Sequence, residues 1–492
     1  RNKIVALEKL GSIAAKLRTK GKTIALCHGT FDLLHIGHIK HIQLAKAKSD
    51  YLFVTITADQ HVNKGPGRPV FGESHRSEQL AALSDVSYVA INDHATSENV
   101  IDIVKPDFYI KGSDYKDNEG DLTGNIFKEV NAVERHGGEI IYTEDITYSS
   151  SKLLNEHFDV FPAETKDFLT NFKKLYSSEK AIEATQGISG MNALVLGDAI
   201  VDEYHYTQPL GQTGKFNILS VKYENKEQFA GGAIAVANHV SDFLAEVTLL
   251  TGLGSFSSHE EFIRSKIKKN VFPEFYYFEN APTLTKRRYV DSENSKLFEV
   301  YYYNDTPVDD LLDKEVCKWL KANVAKYDVV IIPDFGNGFI TEEMIEICSS
   351  EAKFLAVNTQ LNSGNRGYHA ITRYPRADFI SLNEAELRMA THDRQGGLRD
   401  IAYKVGELLD ARYIAVTRGR KGIELLDLKH DYYIDVPALS TTVVDRVGAG
   451  DAFLALSAAL LGGSLDPRVA AFMGAAAAAL DVQIVCNRDS VN

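Results

Sequence analysis

At 492 residues the chain exceeds what a single hydrophobic core usually organises, so two or three domains are expected. Hydrophobic residues at 44% and charged residues at 25% are ordinary for a globular protein, and the lack of any long uninterrupted apolar run excludes a membrane-spanning helical protein. With 54 basic and 67 acidic residues the net charge is −13, which argues against nucleic acid as a partner but leaves room for local small-anion sites.

The first segment, RNKIVALEKLGSIAAKLRTKGK, is amphipathic and lacks the apolar stretch and cleavage site of a secretory leader, so a cytoplasmic protein with no membrane partner is expected. The start at Arg1 instead of methionine implies trimming. From Lys22 the chain reads as strand (TIALCHGTF), helix (IGHIKHIQLAKAK), strand (YLFVTITA), a Gly/Pro loop, helix (SHRSEQLAALSD) and strand (YVAIN). It continues through helical SENVIDIVK, strand DFYIKG, helical GNIFKEVNAVERHGG and strand EIIYTED to a last helix opening at SSSKLLNEHF. This alternation predicts a parallel sheet flanked by helices, a first domain over residues 1–158. Residues 159–190 are polar and helix-prone without a strand, which suits a linker or docking helix. A second, larger α/β domain spans 191–492, with buried-strand candidates at NALVLGD, EVTLLTGLG, DVVIIPDF, KFLAVNT, DFISLN and RYIAVTRG. The alanine-rich VAAFMGAAAAAL predicts a tightly packed helix, and the scattered Cys27, Cys317, Cys348 and Cys486 read as reduced thiols.

The sharpest signal in the first domain is His28-Gly29-Thr30-Phe31-Asp32-Leu33-Leu34-His35-Ile36-Gly37-His38, where the first strand turns into a helix. In a doubly wound sheet the first strand's carboxyl end points into the ligand crevice, and the next helix offers N-terminal amides to an anion. His35 and His38, three apart on the first turn, share a face, and Gly37 leaves room for a nucleotide. Such a pair donates hydrogen bonds to phosphate oxygens whose charge grows as a nucleophile attacks the α-phosphorus and pyrophosphate leaves. A zinc site would need further ligands; His28 and His41 are near in sequence, but no cysteine or carboxylate pattern completes the set.

The stretch GTFDLLHIGH resembles the HxGH motif of the cytidylyltransferase-like nucleotidyltransferase superfamily. Other positions follow in the family's order: Lys46 on the same helix, Arg68-Pro69-Val70 and Arg76 in an arginine-bearing loop, Lys111-Gly112-Ser113-Asp114-Tyr115 as a KGGDY-like stretch, and Ser149-Ser150-Ser151 as the late hydroxyl cluster. The resemblance implies catalytic roles for His35, His38 and Lys46, and nucleotide or phosphate contacts at Gly29, Thr30, Phe31, Asp32, Gly37, Arg76, Lys111, Gly112, Asp114, Ser149, Ser150 and Ser151. The segment before the serines lacks the arginine of glycerol-phosphate and choline-phosphate cytidylyltransferases, which tilts the nucleotide toward ATP, with CTP the alternative.

Near the other end stands Asp445-Arg446-Val447-Gly448-Ala449-Gly450-Asp451, followed by a long apolar helix. Gly448, Ala449 and Gly450 can expose successive amides to the charge on a transferring phosphoryl group, and Asp451 is poised as general base toward a sugar hydroxyl. The stretch resembles the DTxGAGD motif of the PfkB/ribokinase family, with Arg446 for the usual threonine. Further likenesses are Asp198 and Asp202 by the sugar, the glycine pair Gly231-Gly232, Asn383-Glu384-Ala385-Glu386 as the NxxE that organises magnesium and ATP phosphates, and Thr417, Gly419 and Gly422 on the nucleotide side. Asn383 and Glu386 are thereby expected to hold Mg2+ through water or phosphate.

Together the halves resemble the bifunctional heptose-7-phosphate kinase/heptose-1-phosphate adenylyltransferase family of lipopolysaccharide precursor synthesis, with the domain order reversed. The resemblance implies a Rossmann-like nucleotidyltransferase domain followed by a ribokinase-like α/β domain, and Mg2+ with ATP as substrate. It also implies sugar phosphates as ligands, a pathway phosphatase acting between the two steps, and a homodimer. Alternatives are a CTP-dependent transferase with a kinase for another sugar or polyol, and a chain with one half reduced to a binding module. The kinase half departs from the heptose kinases at Asn337, where they have lysine, at Asn358-Thr359-Gln360, where they have Asp-Pro-Lys, and at Ala235, the slot of an asparagine. Two lost lysines weaken the expectation of an already phosphorylated acceptor.

Overall fold

The computed structural model describes residues 3–62, 68–112, 125–143, 161–214, 216–291, 295–304, 308–365, 367–440 and 443–491, with backbone alone at 125–127. It divides into two compact units, Arg1–Val160 and Phe161–Asn492. No described helix is long and apolar enough to cross a membrane.

The first unit is built on β1 (Ile24–Gly29), β2 (Tyr51–Thr57), β3 (Tyr88–Asn92), β4 (Phe108–Gly112) and β5 (Glu139–Thr143). All neighbours pair in parallel, in the order β3-β2-β1-β4-β5. The central strands are runs of apolar and β-branched residues because helices cover both faces. Ile24 and Leu26 pack with Leu10, Val100 and Val133 on one face, and Ala25 and Cys27 with Ile42, Ala45 and Leu80 on the other. The strand order reverses between β1 and β4, so the crevice at their carboxyl ends is the topological switch point. β1 is shorter than the sequence predicts: it stops at Gly29, and Phe31 takes a left-handed backbone (φ 48°) as the chain turns toward the helix Ile36–Ala47.

The second unit carries β6 (Asn192–Leu196), β7 (Ala199–Gln212), β8 (Leu219–Gly232), β9 (Glu246–Phe256), β10 (Val271–Pro282), β11 (Thr285–Val290) and β12 (Lys296–Tyr302). It continues with β13 (Val329–Asp334), β14 (Leu355–Thr359), β15 (Phe379–Asn383), β16 (Tyr413–Thr417), β17 (Ile423–Asp427) and β18 (Tyr432–Val436). Nine strands form one sheet in the order β10-β9-β6-β13-β14-β15-β16-β17-β18, parallel up to β16 and antiparallel beyond it. Its two faces bury separate cores, one of them formed around the helix Ala449–Gly462, whose residues from Ala452 to Leu461 are all buried. The alanine-rich segment forms the helix Pro467–Asp481, packed so closely on Ala449–Gly462 that a Cβ at Gly474 would fall 2.0 Å from Ser457 Oγ.

A second sheet, β12-β11-β7-β8, has no counterpart in the sequence reading. Its strands carry long polar, solvent-exposed runs, such as Glu224 to Lys226 in β8, and so lack the continuous apolar signature that marked the larger sheet. The stretch expected as a linker or docking helix forms two helices, Ala163–Leu175 and Ser178–Gly187, within the second unit. Phe172 stacks on Phe472 with ring centroids 4.2 Å apart, and the Tyr176 hydroxyl donates to Asp466, which fixes the first of these helices against Pro467–Asp481.

Candidate active sites

In the first unit His35 is the N-cap of Ile36–Ala47: its Nδ1 accepts from the Gly37 N–H at 3.1 Å. His38 lies one turn in, its ring 4.0 Å from that of His35 and 5.3 Å from Phe31. The pair therefore stands at the carboxyl end of β1, at the switch point. His28, at the end of β1, hydrogen-bonds Thr55 Oγ1 through Nδ1 at 2.9 Å, and His41 Nδ1 meets Thr143 Oγ1 at 3.0 Å. Burial, with the nearby Lys111 cation adding to it, pushes the His28 imidazole down to about 3 and that of His41 to about 4. Both are neutral hydrogen-bonding groups at physiological pH. Lys111 itself is buried at the end of β4 and pairs with Glu129 at 2.6 Å.

Asp32 is 1% exposed and organises the loop before the helix Glu73–Ala81. It accepts from Arg68 Nε at 2.6 Å and from the N–H groups of Val70 and Phe71 at 2.7 and 3.0 Å. Arg76 is fully buried and spends its guanidinium on the carbonyls of Phe71, Thr30 and Thr57 at 2.6–2.9 Å and on Asp59. It ties the ends of β1 and β2 to the loop, so what it does here is position the turn Thr30–Asp32. Lys46 is not brought to the histidines: its ammonium donates to the carbonyls of Ser49 and Asp50 beyond the other end of the helix, about 15 Å along the axis. Gly29, Gly37 and Gly112 sit at the strand and helix ends around the switch point. Asp114, Ser149, Ser150 and Ser151 lie outside the described residues.

In the second unit the carboxyl ends of the parallel strands collect the named positions. Asp198 follows β6, Asp334 ends β13, and Asn383 and Thr417 end β15 and β16 in direct register. Asp198 accepts from the N–H groups of Asn337 and Phe339 at 3.2 and 3.3 Å, while burial and the neighbouring Asp334 push its carboxyl up to about 6. Gly231 and Gly232 end β8 opposite Ile200 and Ala199. A Cβ at Gly231 would fall 2.2 Å from Asp202 Oδ2, so only glycine lets that carboxylate in.

Gly448 caps the helix Ala449–Gly462 with φ 103°, and nothing lies within 4 Å of a Cβ at Gly450, so the space beside the first turn is open on that side. Asp451, in that turn, is pushed up to about 7 by burial and by Asp202, with Lys286 opposing and Glu386 adding. Asp445 accepts from the Tyr204 hydroxyl at 2.6 Å and Lys296 at 3.0 Å, and also from the Arg446 and Val447 N–H groups, which marks it as the tie that holds the loop. Asn383 and Glu386 form a capping box on the helix Glu384–Thr391, with Glu384 turned to Arg388. Both Glu386 oxygens accept backbone N–H groups, from Leu361 and Asn383. That leaves them lone pairs for a metal-bound water, and the residues fit magnesium held through water. Gly419 opens a single 3-10 turn after β16 and Gly422 follows it, both at positive φ.

The sequence reading missed Lys286 and Arg288. TKRRYV carries three successive cations, yet in β11 Lys286 and Arg288 are buried while Arg287 between them is half-buried. Lys286 stands opposite Asp202 in the β11–β7 register, and Arg288 donates to Asp202 and pairs with Glu299 at 3.3 Å. Asp481, fully buried beside Gly448, and Asn487 were missed as well.

Arrangements of this kind belong to enzymes that move phosphoryl and nucleotidyl groups. The chain belongs to the pfkB family of carbohydrate kinases, which matches residues 192–486, and it carries a cytidylyltransferase-like domain matched over residues 26–179. One chain thus pairs a pfkB-family carbohydrate-kinase domain with a cytidylyltransferase-like one. It is 36% identical over 141 residues to the "Bifunctional protein HldE" of Syntrophotalea carbinolica, covering 28% of this chain and 27% of that protein. To its namesake in Nitratiruptor sp. it is 40% identical over 129 residues, 26% of this chain and 28% of the other. The chain thus matches only about a quarter of the length of these curated relatives. Among solved structures, a putative ribokinase from Agrobacterium tumefaciens aligns at 16% identity with a TM-score of 0.47, covering 60% of this chain and 92% of its own.

Proposed function

We propose that the chain is a bifunctional enzyme of nucleotide-sugar synthesis. The second unit phosphorylates the anomeric hydroxyl of a sugar with ATP, and the first joins the resulting sugar 1-phosphate to a nucleotidyl group with release of pyrophosphate. The observation that carries the reading is the presence, in one chain, of a histidine pair at the switch point of one sheet and of Asp451 in a glycine-opened helix start of another.

In the kinase step Asp451 takes the hydroxyl proton, the sugar oxygen attacks the γ-phosphorus and the bond to ADP breaks. The amides from Gly448 to Gly450 receive the charge on the transferring group. Magnesium, when bound with the nucleotide through Glu386 and Asn383, neutralises phosphate charge. In the transferase step His35 and His38 donate to the phosphate oxygens as the sugar phosphate attacks the α-phosphorus. ATP is the favoured nucleotide and CTP the alternative, and a heptose is the sugar toward which the motif resemblance points.

The test is mass spectrometry of the full chain with ATP or CTP, magnesium and a panel of sugars and sugar 1-phosphates, alongside Asp451→Asn and His38→Ala. The reading expects phosphorylation lost only in the first variant and nucleotide-sugar lost only in the second. Products insensitive to both substitutions would remove it.

A further inference from the structure

Beside Asp198 the second unit holds a cavity of about 530 Å³, a size that takes a single sugar comfortably. Four carboxylates line it: Asp198, Glu279, Asp309 and Glu315. Among the described residues its wall includes no lysine, arginine or histidine. Asp309 is fixed there as the N-cap of the helix Asp310–Asn323, accepting from the N–H groups of Leu311 and Leu312 at 3.0 Å, and Asp198 is fixed by the two amides already described.

The donors that face this wall are neutral. Asn337, in the same lining, keeps a buried side-chain Nδ2 with no partner among the described residues, an N–H pair left for a ligand oxygen. The cations of the region are elsewhere or already committed. Lys286 acts on Asp202, Asp198 and Asp451, at the phosphoryl-transfer end, and Arg288 is paired with Asp202 and Glu299. Arg373, in an adjoining cavity that shares Tyr303, Asn304, Asn337 and Gly338, is held against the His369 ring and within 3.7 Å of Asp334.

Carboxylates accept hydrogen bonds and donate none, so they suit sugar hydroxyls, each of which brings a proton. A phosphate on the far end of the sugar carries about −1.5 to −2 charges at neutral pH and brings three acceptor oxygens instead. It would meet like charge, and among the described residues the wall itself offers no cation to offset it.

Resting on the kinase reading of this unit, we infer that its acceptor is an unphosphorylated sugar, and that its 1-phosphate product passes to the nucleotidyl transfer with no dephosphorylation between the two steps. Bond changes balance without further reactants. The anomeric oxygen gains the γ-phosphoryl group and loses its proton to Asp451, ADP leaves, and one oxygen of the new phosphate then displaces pyrophosphate from the nucleotide. The phosphatase that the heptose resemblance implied has nothing to remove.

The experiment gives the full-length protein ATP and magnesium with matched acceptor pairs: a mannoheptose and its 7-phosphate, ribose and ribose 5-phosphate, fructose and fructose 6-phosphate. The expected result is a kcat/KM higher by about tenfold or more for the neutral member of the best pair. The same neutral sugar, with nucleoside triphosphate and no phosphatase, should go on to nucleotide-sugar in one vessel. Asn337→Lys should shift the preference back toward the phosphorylated member, read as a lower KM for it. Equal or better turnover of the phosphorylated member by the unaltered protein overturns the inference and leaves the kinase reading standing. No turnover sensitive to Asp451→Asn with any pair removes the kinase reading, and this inference with it.

Discussion

The carboxylate of Asp32 and the guanidinium of Arg68 lie 2.6 Å apart, with 1% and 6% of their side chains exposed. A buried ion pair holds only while both partners remain, because either charge alone is left without solvent. Asp32→Asn should therefore release the loop from Arg68 to Phe71 and destabilise the first unit by about 3–5 kcal/mol. Thermal unfolding followed with the transferase assay checks it. Unchanged unfolding together with an unchanged nucleotide KM would show that the loop is held by something else.

The position of Gly448 makes a sharper demand. Its φ of 103° and the closeness of Asn487 Oδ1 and Asp481 Oδ2, 2.7 and 2.8 Å from a Cβ placed there, leave no room for a side chain. Gly448→Ala should tilt the first turn of Ala449–Gly462 and lower sugar phosphorylation on the order of a hundredfold, with nucleotidyl transfer by the same preparation unaffected. An equal loss in both activities would point to general misfolding instead.

As the proposed base, Asp451 should set the pH dependence of phosphorylation. A base pushed up to about 7 by burial and by Asp202 is largely protonated at pH 6. The kinase kcat/KM should fall about tenfold per pH unit below 7 and level off above it. Lys286 opposes that upward shift, so Lys286→Met should move the break point to higher pH. A profile flat from pH 5 to 8 would exclude Asp451 as the base.

Asp481 titrates in stability instead. It is fully buried, neither oxygen has a hydrogen-bond partner among the described residues, and burial followed by Asp451 pushes its carboxyl up to about 8. An unfolded chain releases that proton near pH 4, so between about 4 and 8 the folded state holds a proton that the unfolded state has lost. Its contribution is thus fully present below about pH 4 and is lost progressively as pH rises toward 8. Asp481→Asn should raise the Tm by a few degrees at pH 8.5 and change it little at pH 5, in thermal scans of the second unit's transition. A Tm gain at pH 5 as large as that at pH 8.5 would refute the titration.

Much of this was readable in the chain itself, for physical reasons. The parallel strands of the two larger sheets are buried on both sides and so spell themselves as apolar runs, and the turns from Gly29 to His38 and from Gly448 to Asp451 carry residue types that a strand-to-helix or loop-to-helix junction needs. The smaller sheet was not legible, because its strands expose one face and carry the charges that solvent allows. Lys286 and Arg288 were hidden with it, since burial of a cation depends on carboxylates far away in sequence, here Asp202 and Glu299. Lys46 shows the converse limit. Its place in the order of a motif said nothing about its direction, and the 3.6-residue repeat carries it to the end of the helix away from the histidines.

The neutral inner histidines have a consequence for the two chemistries taken together. His28 and His41 stay uncharged well below pH 5, whereas Asp451 gains its proton near 7. On the proposed reading, mild acidification that leaves His28 and His41 neutral already protonates Asp451 and should slow the making of the sugar 1-phosphate. The entry step, not the exit, is then where acid should restrain the proposed sequence.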